Sequence, residues 1–344
     1  MRAVVCSAFS SHTDLRVEDI APPPMVPGGV RIRVAAAGLN FADSLITAGR
    51  YQEKPEPPFV PGFELAGTVI EVAADVAGLS PGDRVLAMPP NGAFAEEAVV
   101  PQGAVWPLAP GMDMAVGASF PIAYGTSHFG LFDRARLQPG EVVLVHGAGS
   151  GVGLTAVECA KAGEATVIAT ARGAGKLAVA REHGADHAID TKTEDIRARV
   201  LTLTDGRGAD VVYDPVGGDV FDASLRCTAP DGRLLAVGFA SGTVPQVPAN
   251  RLLVKNLSVI GFYWGAYMRL APDRVRTSMD ALTAWHAEGR VRPRVSAEYP
   301  LEQVVEAIDA LLGRGVTGKL VLRIAPDACR PSQNGRRSYS PRGA

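Results

Sequence analysis

The residues whose types and spacing point most directly to chemistry lie in a glycine-rich segment near the middle of the chain. Gly147, Gly149, Gly151 and Gly153 follow the apolar run Val142–Val145, whose composition is typical of a buried parallel strand. Glycines in such a turn permit a close backbone approach to a pyrophosphate, and the amide groups of a following helix attract the anion. The segment therefore predicts a dinucleotide site.

The glycine pattern departs from the strict G-x-G-x-x-G spacing, because Ala148 and Ser150 occupy the first two glycine positions when Gly153 is the last. An ordinary turn between a strand and a helix is therefore the alternative. The segments that follow favour the nucleotide site, since alternating strand and helix patterns predict a doubly wound parallel sheet. The predicted elements are strands at Thr166–Thr170, Ala209–Tyr213 and Arg233–Phe239 and a helix at Glu194–Leu203.

The end of the second predicted strand bears on which nicotinamide nucleotide fits. An NAD site places Asp or Glu there to bind the ribose 2′-hydroxyl. Here the chain continues from Thr170 to Arg172 without an acid, and Lys176 follows shortly afterwards. Arg can bind a 2′-phosphate through paired hydrogen bonds, and Lys adds a point charge. We expect NADPH as the cofactor; the alternative is that both cations are solvated surface residues.

Composition excludes several other classes of protein. The 344 residues suffice for two domains, and the formal net charge of −2 provides no basic footprint for nucleic acid. No apolar run has the length of a membrane span, and the N-terminal segment lacks the apolar region of a signal peptide. We expect a cytoplasmic protein. Its cysteines lack C-x-x-C spacing, which favours reduced structural thiols at Cys6, Cys159, Cys227 and Cys329.

The chain divides into regions of different composition. Residues 1–121 are rich in Gly and Pro and carry short strand patterns, which predict a compact all-β unit. Its predicted strands are Val30–Ala36, Glu64–Val72 and Arg84–Ala87. Towards the C-terminus the patterns predict helices at Arg274–Glu288 and Leu301–Leu312 and a final strand at Lys319–Ile324. The tail Pro326–Ala344 has almost no apolar residues, and we expect it to be disordered.

Several short segments carry a resemblance to a known family. They are Ala37–Asp43, Pro61–Gly67, Gly82–Val85, Gly147–Gly153, Tyr213–Gly217 and Gly318–Leu322. With them the chain resembles the zinc-free NADPH:quinone oxidoreductase branch of the medium-chain dehydrogenase/reductase superfamily over nearly all of residues 1–325. The resemblance implies an α/β fold, with a GroES-like β-rich catalytic domain at residues 1–121, completed by residues 290–325. A Rossmann-like NADPH-binding domain would occupy residues 122–289, the active site would lie in the cleft between the domains, and the protein would be a homodimer.

The resemblance also bears on zinc. Zinc-dependent relatives carry a Cys at the position of Asn40 and Gly-His-Glu at the position of Gly62–Glu64. A catalytic zinc needs about three Cys, His or carboxylate ligands, and neither Asn40 nor Phe63 is a usable one. The lobe that would hold a structural zinc is shortened to Met88–Phe94 and contains no cysteine. We expect no metal, and a hydride transfer to a small-molecule electron acceptor that needs no Lewis acid.

By the same resemblance, a set of residues would line the active site. Asn40 and Tyr51, the catalytic candidates, would stand at the acceptor side of the nicotinamide, where the Asn40 amide can donate to a developing oxyanion. Alternative roles are a loop-capping amide for Asn40 and a helix N-terminal cap for Thr126, which otherwise lies near the nicotinamide. The cofactor-binding candidates are Asn40, Thr126, Gly149, Ser150, Gly151, Val152, Gly153, Arg172, Lys176, Gly238 and Phe239, together with Lys319, which would reach the nucleotide from the catalytic domain.

Three functions remain open at this level. The first is reduction of a quinone, for which the aromatic segment Gly261–Tyr267 would provide a stacking wall unless it forms core and dimer surface. The second is reduction of an activated alkene, because Tyr51 matches the proton donor of mitochondrial-type enoyl thioester reductases. The third is an NADPH-binding structural or stress protein with little turnover. Leu45 replaces a tyrosine that close bacterial relatives carry in the acceptor pocket. A tyrosine that some relatives carry near Thr191, where it helps to hold the 2′-phosphate, is missing here.

Overall fold

The computed structural model describes residues 1–324, so the predicted tail at Pro326–Ala344 lies outside the described residues. Strands dominate the N-terminal part of the chain: β1 (Arg2–Val5), β2 (Arg16–Asp19), β3 (Gly29–Gly38), β4 (Leu65–Val72), β5 (Arg84–Ala87), β6 (Glu97–Pro101) and β7 (Val105–Pro107). The prediction of an all-β unit is wrong, because α1 (Phe41–Thr47) and α2 (Met114–Ala118) also belong to this part. The loop after β3 can start a helix because Asn40 takes the extended conformation of an N-cap.

Most of these strands form a mixed sheet together with two strands from the far end of the described chain, β14 (Val295–Pro300) and β15 (Lys319–Arg323). The strand order is β14-β15-β3-β4-β5-β7, and β6 also pairs with β3. Along β3 the fully buried side chains alternate with more exposed ones, Val30, Ile32 and Val34 against Arg31 and Arg33.

The pairing of β15 with β3 positions residues that are remote in sequence. The two strands are antiparallel, and beyond the end of β3 the Leu39 N–H donates to the Leu320 carbonyl oxygen at 2.9 Å. This register brings Lys319, at the start of β15, beside the loop that leads into α1.

The second large sheet of the structure is parallel. Its strands are β8 (Val142–Val145), β9 (Thr166–Ala171), β10 (His187–Asp190), β11 (Ala209–Asp214), β12 (Thr228–Ala236) and β13 (Ser258–Gly261), in the order β10-β9-β8-β11-β12-β13. Connecting or flanking helices are α3 (Pro121–His128), α4 (Gly151–Ala162), α5 (Ala174–Glu182), α6 (Ile196–Leu203), α7 (Asp219–Cys227) and α8 (Ala249–Lys255). The predicted doubly wound parallel sheet is confirmed.

Some predicted boundaries need correction. The predicted strand Arg233–Phe239 is wrong at both ends: a register shift lets β12 begin at Thr228 beside Ala209, and the strand ends at Ala236. The prediction also missed β10, a short strand at the edge of the sheet. The predicted helices at the C-terminal side are observed as α10 (Pro272–Ala287), after the short α9 (Tyr267–Leu270), and as a 3₁₀ turn that leads into α11 (Val304–Leu312).

The strand order of the parallel sheet reverses between β8 and β11, because β9 continues on one side of β8 and β11 lies on the other. In doubly wound sheets, ligands bind outside the carboxyl ends of the strands at such a switch point. The mixed sheet lies opposite this edge, and side chains of both sheets, including Trp106 and Val145, share one apolar core. Within residues 1–324, none of the helices has both the length and the apolar character needed to cross a bilayer.

Candidate active site

A cleft of about 2470 Å³ lies between the carboxyl edge of the parallel sheet and the mixed sheet. Single drug-sized ligands occupy pockets of about 300–1,000 Å³, so this cleft has room for a dinucleotide and a second small molecule. Its lining includes every site residue that the sequence predicted except Gly153, which is buried beneath the glycine-rich turn. Residues from both ends of the chain therefore meet in one place.

The glycine-rich turn after β8 has a backbone that larger residues would disrupt. Gly147 has a φ of +58°, and a Cβ on Gly153 would lie 2.1 Å from the carbonyl oxygen of Gly147. Ser150 is the N-cap of α4, and its Oγ accepts the Gly153 N–H at 3.2 Å. The N–H groups of Gly151 and Val152 belong to the first helical turn and so lack intrahelical acceptors. The turn fits a pyrophosphate, which needs both close backbone approach and such donors.

A buried histidine, which sequence reasoning missed, holds the strand ends beneath this turn. His146 is fully buried; its Nδ1 pairs with Thr170 Oγ1 at 2.8 Å and its Nε2 with Ser224 Oγ at 2.6 Å. Burial lowers the pKa of His146. The ring is therefore neutral near pH 7 and acts as a rigid link between the ends of β8 and β9 and helix α7.

Cationic side chains gather at the end of β9. Lys176 Nζ donates to the carbonyl oxygen of Arg314, and the Arg314 guanidinium donates to the Ala240 carbonyl oxygen at 2.9 Å. Burial lowers the pKa of Lys176, and the positive charges of Arg314, Arg172 and Lys192 lower it further. Mutual repulsion of this kind is relieved by a bound anion. The cluster therefore fits the 2′-phosphate of NADPH.

Two members of this cluster escaped sequence reasoning. Arg314 follows α11 and crosses to the nucleotide side of the cleft, a contact that only the folded chain creates. Lys192 directly follows Thr191, near which some relatives carry a tyrosine that helps to hold the 2′-phosphate. That neighbourhood is the sequence feature that could have pointed to Lys192. Both residues line the same cleft as Arg172 and Lys176.

Asn40, Glu64 and Lys319 form a buried polar cluster at the floor of the cleft. Lys319 Nζ donates to Asn40 Oδ1 at 2.6 Å, to Glu64 Oε1 at 2.8 Å and to the Leu39 carbonyl oxygen at 2.5 Å. Asn40 Nδ2 donates to the same Glu64 Oε1 at 2.9 Å, while Glu64 Oε2 accepts the Ile122 N–H at 2.8 Å. The ammonium group of Lys319 is thus directed into this cluster.

The stem of Lys319 runs past the glycine-rich turn, since a Cβ on Gly151 would lie 3.0 Å from Lys319 Cδ. Asn40 also stands at the N-cap position of α1, where its backbone N–H donates to Asp43 Oδ2 at 2.7 Å. Burial raises the pKa of Asp43 to about 8, against the lowering effects of the Asn40 N–H and of Lys319. The backbone of Asn40 therefore begins a helix, while its side-chain amide joins the cluster; its role as a donor to an oxyanion stays a prediction.

An aromatic wall forms one side of the cleft. The ring of Tyr51 lies 5.4 Å from that of Phe63 and 6.0 Å, edge-on, from that of Tyr263. Tyr263 O–H donates to Glu53 Oε1 at 3.0 Å, a contact across the mouth of the cleft. Burial is the main cause that raises the pKa of Tyr51, and the nearby Glu53 carboxylate adds to it, while the Tyr263 hydroxyl opposes it.

The aromatic segment Gly261–Tyr267 is divided between the lining of the cleft and the core. Tyr263 belongs to the wall, whereas Phe262 and Trp264 are 7% and 4% exposed and pack into the core. The Phe262 ring is stacked parallel to that of Phe129 at 6.0 Å. Trp264 packs so closely on α3 that a Cβ on Gly125 would lie 2.4 Å from its ring.

Two family models match the chain in separate segments. Residues 26–110 match the alcohol dehydrogenase GroES-like domain, and residues 151–284 match the zinc-binding dehydrogenase family. The quinone oxidoreductase-like protein 2 homolog of Nematostella vectensis is 44% identical over 325 residues, which cover 93% of this chain and 88% of that protein. The chain belongs to the quinone oxidoreductase branch of the medium-chain dehydrogenase/reductase superfamily.

Solved structures agree with this membership. The quinone oxidoreductase of Pseudomonas syringae superposes with a TM-score of 0.88 at 33% identity, covering 94% of this chain and 99% of that one. The quinone oxidoreductase of Thermus thermophilus, whose complex with NADPH has been solved, gives a TM-score of 0.82 at 33% identity, with coverages of 94% and 100%. This medium-chain reductase is an oxidoreductase with a Rossmann-like sheet and a GroES-like unit.

The donor set at the floor of this medium-chain reductase differs from a zinc site. By the resemblance, Asn40, Phe63 and Glu64 correspond to positions at which zinc-dependent relatives carry ligands or their neighbours. The Glu64 carboxylate is paired with Lys319. Across residues 1–324, no three or more His, Cys, Asp or Glu side chains are grouped so as to hold a metal ion. The family model named for zinc binding matches residues 151–284, which do not include these positions.

The remaining predicted residues take defined places around the cleft of this reductase. Thr126 lies well inside α3, whose N-cap is Phe120, so the alternative role of Thr126 as an N-terminal cap is wrong. Gly238 and Phe239 lie in the loop after β12, where the Gly238 N–H donates to the Asp214 carbonyl oxygen at 3.3 Å.

The three cysteines within the described residues are unpaired and buried: Cys6, Cys159 and Cys227.

Proposed function

We propose that this protein is an NADPH-dependent, zinc-independent reductase of quinones or similarly electron-poor small molecules. The observation that carries the proposal is the buried floor of the cleft, where an ammonium–carboxylate pair holds the Asn40 amide. That amide can donate an N–H to oxygen as negative charge develops there. No Lewis acid is needed for an acceptor whose product oxyanion is already delocalised.

NADPH, when bound, supplies the hydride. The glycine-rich turn at 147–153 would hold its pyrophosphate, and Arg172, Lys176, Lys192 and Arg314 would hold its 2′-phosphate. Thr126, Gly238 and Phe239 would border the nicotinamide end. The support for this assignment is the fit of each part: backbone donors without acceptors at the turn, and crowded positive charges at the end of β9.

The acceptor would lie between the nicotinamide position and the wall made by Tyr51, Phe63 and Tyr263. Aromatic rings favour flat apolar partners in offset or edge-on contact. The same wall would shield the reacting face from water. Protons for a reduced quinone can come from solvent at the open mouth of the cleft, so a positioned acid is not required.

A second candidate is reduction of an activated alkene such as an enoyl thioester, with Tyr51 as the proton donor. Tyr51 lines the cleft, which favours this candidate. The raised pKa of Tyr51 argues against it, because burial and the Glu53 carboxylate make the phenol a weaker acid. We therefore rank the quinone reaction first.

We also propose that the protein is a homodimer. Within the described residues β13 pairs only with β12, so its outer edge is available for a second chain. Leu253 and Val254 on α8, the helix that precedes β13 in the chain, are each 78% exposed and offer an apolar surface. Light scattering of the purified full chain should give twice the monomer mass; the monomer mass would overturn this proposal.

The deciding experiment measures NADPH consumption with a panel of quinones, enals and 2-enoyl thioesters, each with and without a strong chelator. We expect turnover of quinones that chelation leaves unchanged. Turnover of thioesters alone would establish the second candidate instead. Tight NADPH binding without turnover of any acceptor would indicate a structural or stress-related role.

A further inference from the structure

We propose that Glu64 and Lys319 are positioning residues that fix the orientation of the Asn40 side chain, so that its amide N–H is presented to the acceptor. This inference rests on the proposed function, because it concerns the group that donates to the developing oxyanion. It also assigns Lys319 a role that differs from direct contact with the nucleotide. Lys319 acts through Asn40.

The hydrogen bonds within the cluster permit one orientation of the amide. An ammonium has donors only and an ionised carboxylate has acceptors only. Lys319 Nζ lies 2.6 Å from Asn40 Oδ1, and Glu64 Oε1 lies 2.9 Å from Asn40 Nδ2. Rotation of the amide by 180° would set donor against donor at Lys319 and acceptor against acceptor at Glu64. The Nδ2 group therefore keeps its place, with one hydrogen on Glu64 and a second hydrogen to donate.

The positioning pair is buried and held by further hydrogen bonds. Glu64 is fully buried and the side chain of Lys319 is 7% exposed. The second carboxylate oxygen of Glu64 is held by the Ile122 N–H, and Lys319 Nζ also binds the Leu39 carbonyl oxygen. Gly38 makes room for this arrangement, since a Cβ there would lie 2.5 Å from Glu64 Oε1. The amide thus sits in a frame that substrate binding does not need to rearrange.

The charge of Lys319 also strengthens the donor. A cation that binds the amide oxygen draws electron density from the amide, and polarised hydrogen-bond chains reinforce one another in a low-dielectric site. The N–H that faces the acceptor then binds a developing negative charge more strongly than an isolated Asn would. Glu64 balances the positive charge, so the cluster stays neutral before the reaction.

The main test compares Lys319→Met with Lys319→Arg and with the matched control Arg323→Met, which removes a cation from the other end of β15. Removal of one oxyanion donor costs about 10²–10³ in kcat. For Lys319→Met, which misplaces the donor without removing it, we expect kcat to fall about tenfold or more. The Kd for NADPH, measured by fluorescence titration, should stay within about threefold. Lys319→Arg should recover part of kcat, and the control should resemble the wild type.

A rise in the NADPH Kd of about tenfold with unchanged kcat would overturn the proposal and return Lys319 to the nucleotide site.

A double-mutant cycle tests whether Lys319 acts through Asn40. In an Asn40→Ala background, Lys319→Met should change kcat by no more than about twofold, because the positioned group is gone. Equal effects in both backgrounds would show that Lys319 acts independently and would overturn the proposal. If Lys319→Met fails to fold, Lys319→Met/Glu64→Gln removes both charges and serves in the same cycle.

A measurement without turnover separates this inference from the proposed function. Asparagine-selective ¹⁵N labelling gives the side-chain NH₂ signals, and Asn40→Ala identifies the signal of Asn40. We expect Lys319→Met to shift that signal and to speed its hydrogen exchange, whether or not any acceptor is reduced. An unchanged Asn40 signal would overturn the positioning role, while absence of turnover in the wild type would overturn the proposed function alone.

Discussion

Lys319 and Glu64, 255 positions apart in the chain, form an ion pair with an Nζ–Oε1 distance of 2.8 Å and almost no exposure to solvent. Removing one partner of a buried pair leaves an uncompensated charge, which typically costs about 3–5 kcal/mol. Lys319→Met should therefore unfold at lower denaturant concentration than Lys319→Met/Glu64→Gln, in which no lone charge is left. Urea denaturation of both variants checks this, and equal midpoints would contradict it.

Cofactor choice should depend on Arg172 and Lys176. Replacing both by Ala should raise the KM for NADPH by at least about tenfold, since a lost charge-assisted hydrogen bond to phosphate is worth about 1.5–3 kcal/mol. The KM for NADH should hardly change. Arg181→Ala is a matched control, because Arg181 is an exposed cation on α5, the helix that carries Lys176. Preference of the wild type for NADH would refute the prediction.

Activity should survive exhaustive chelation, and the purified protein should carry no stoichiometric zinc. The reason is the donor set at the floor, an amide and a carboxylate already paired with Lys319, which is too poor for a catalytic zinc. Elemental analysis before and after dialysis against a chelator makes the measurement. About one zinc per chain, lost together with activity, is the contrary result.

Tyr51→Phe separates the two enzyme reactions. With a quinone, the variant should keep most of its turnover, because the ring contacts with Phe63 and Tyr263 remain and only the hydroxyl is lost. With an enoyl thioester and Tyr51 as acid, turnover should fall about 10²–10⁴-fold. Assays of wild type and variant on both acceptors decide it. A wild type that reduces only the thioester, with a collapse in Tyr51→Phe, would reverse our ranking.

Asp43 should make stability depend on pH. Burial raises its pKa in the folded protein to about 8 from an ordinary value of 3.8. Between these values the folded state holds a proton that the unfolded state has released, so stability falls as pH rises, by at most about 1.4 kcal/mol per pH unit.

Asp43→Asn should therefore lose less stability than the wild type between pH 5 and pH 8, as measured by urea denaturation at several pH values. Asn can still accept the Asn40 N–H through its amide oxygen, so the start of α1 is preserved. Asp280→Asn, at an exposed position on α10, is the control and should follow the wild type. Parallel pH profiles for Asp43→Asn and wild type would rule out the raised pKa.

Local sequence patterns were sufficient to predict strands whose limits depend on their own residues. The run Val142–Val145 is observed as β8 with the predicted limits, because a strand covered on both faces needs continuous apolar residues. The limits of β12 were not predictable in this way. Its start at Thr228 depends on a register shift against β11, and its end at Ala236 is set by pairing with β13. The residues of β12 alone do not determine these pairings.

By itself, the sequence indicated the superfamily through several short segments spread along the chain. It also predicted the glycine-rich turn and the cations Arg172 and Lys176 from residues that lie close together in the chain. Only the tertiary structure decided that Lys319 binds Asn40 and Glu64, and that Arg314 joins the cation cluster. These contacts join segments whose meeting depends on the order and register of the strands. A Lys side chain can reach several partners from one position, and the pairing of β15 with β3 selects the buried carboxylate.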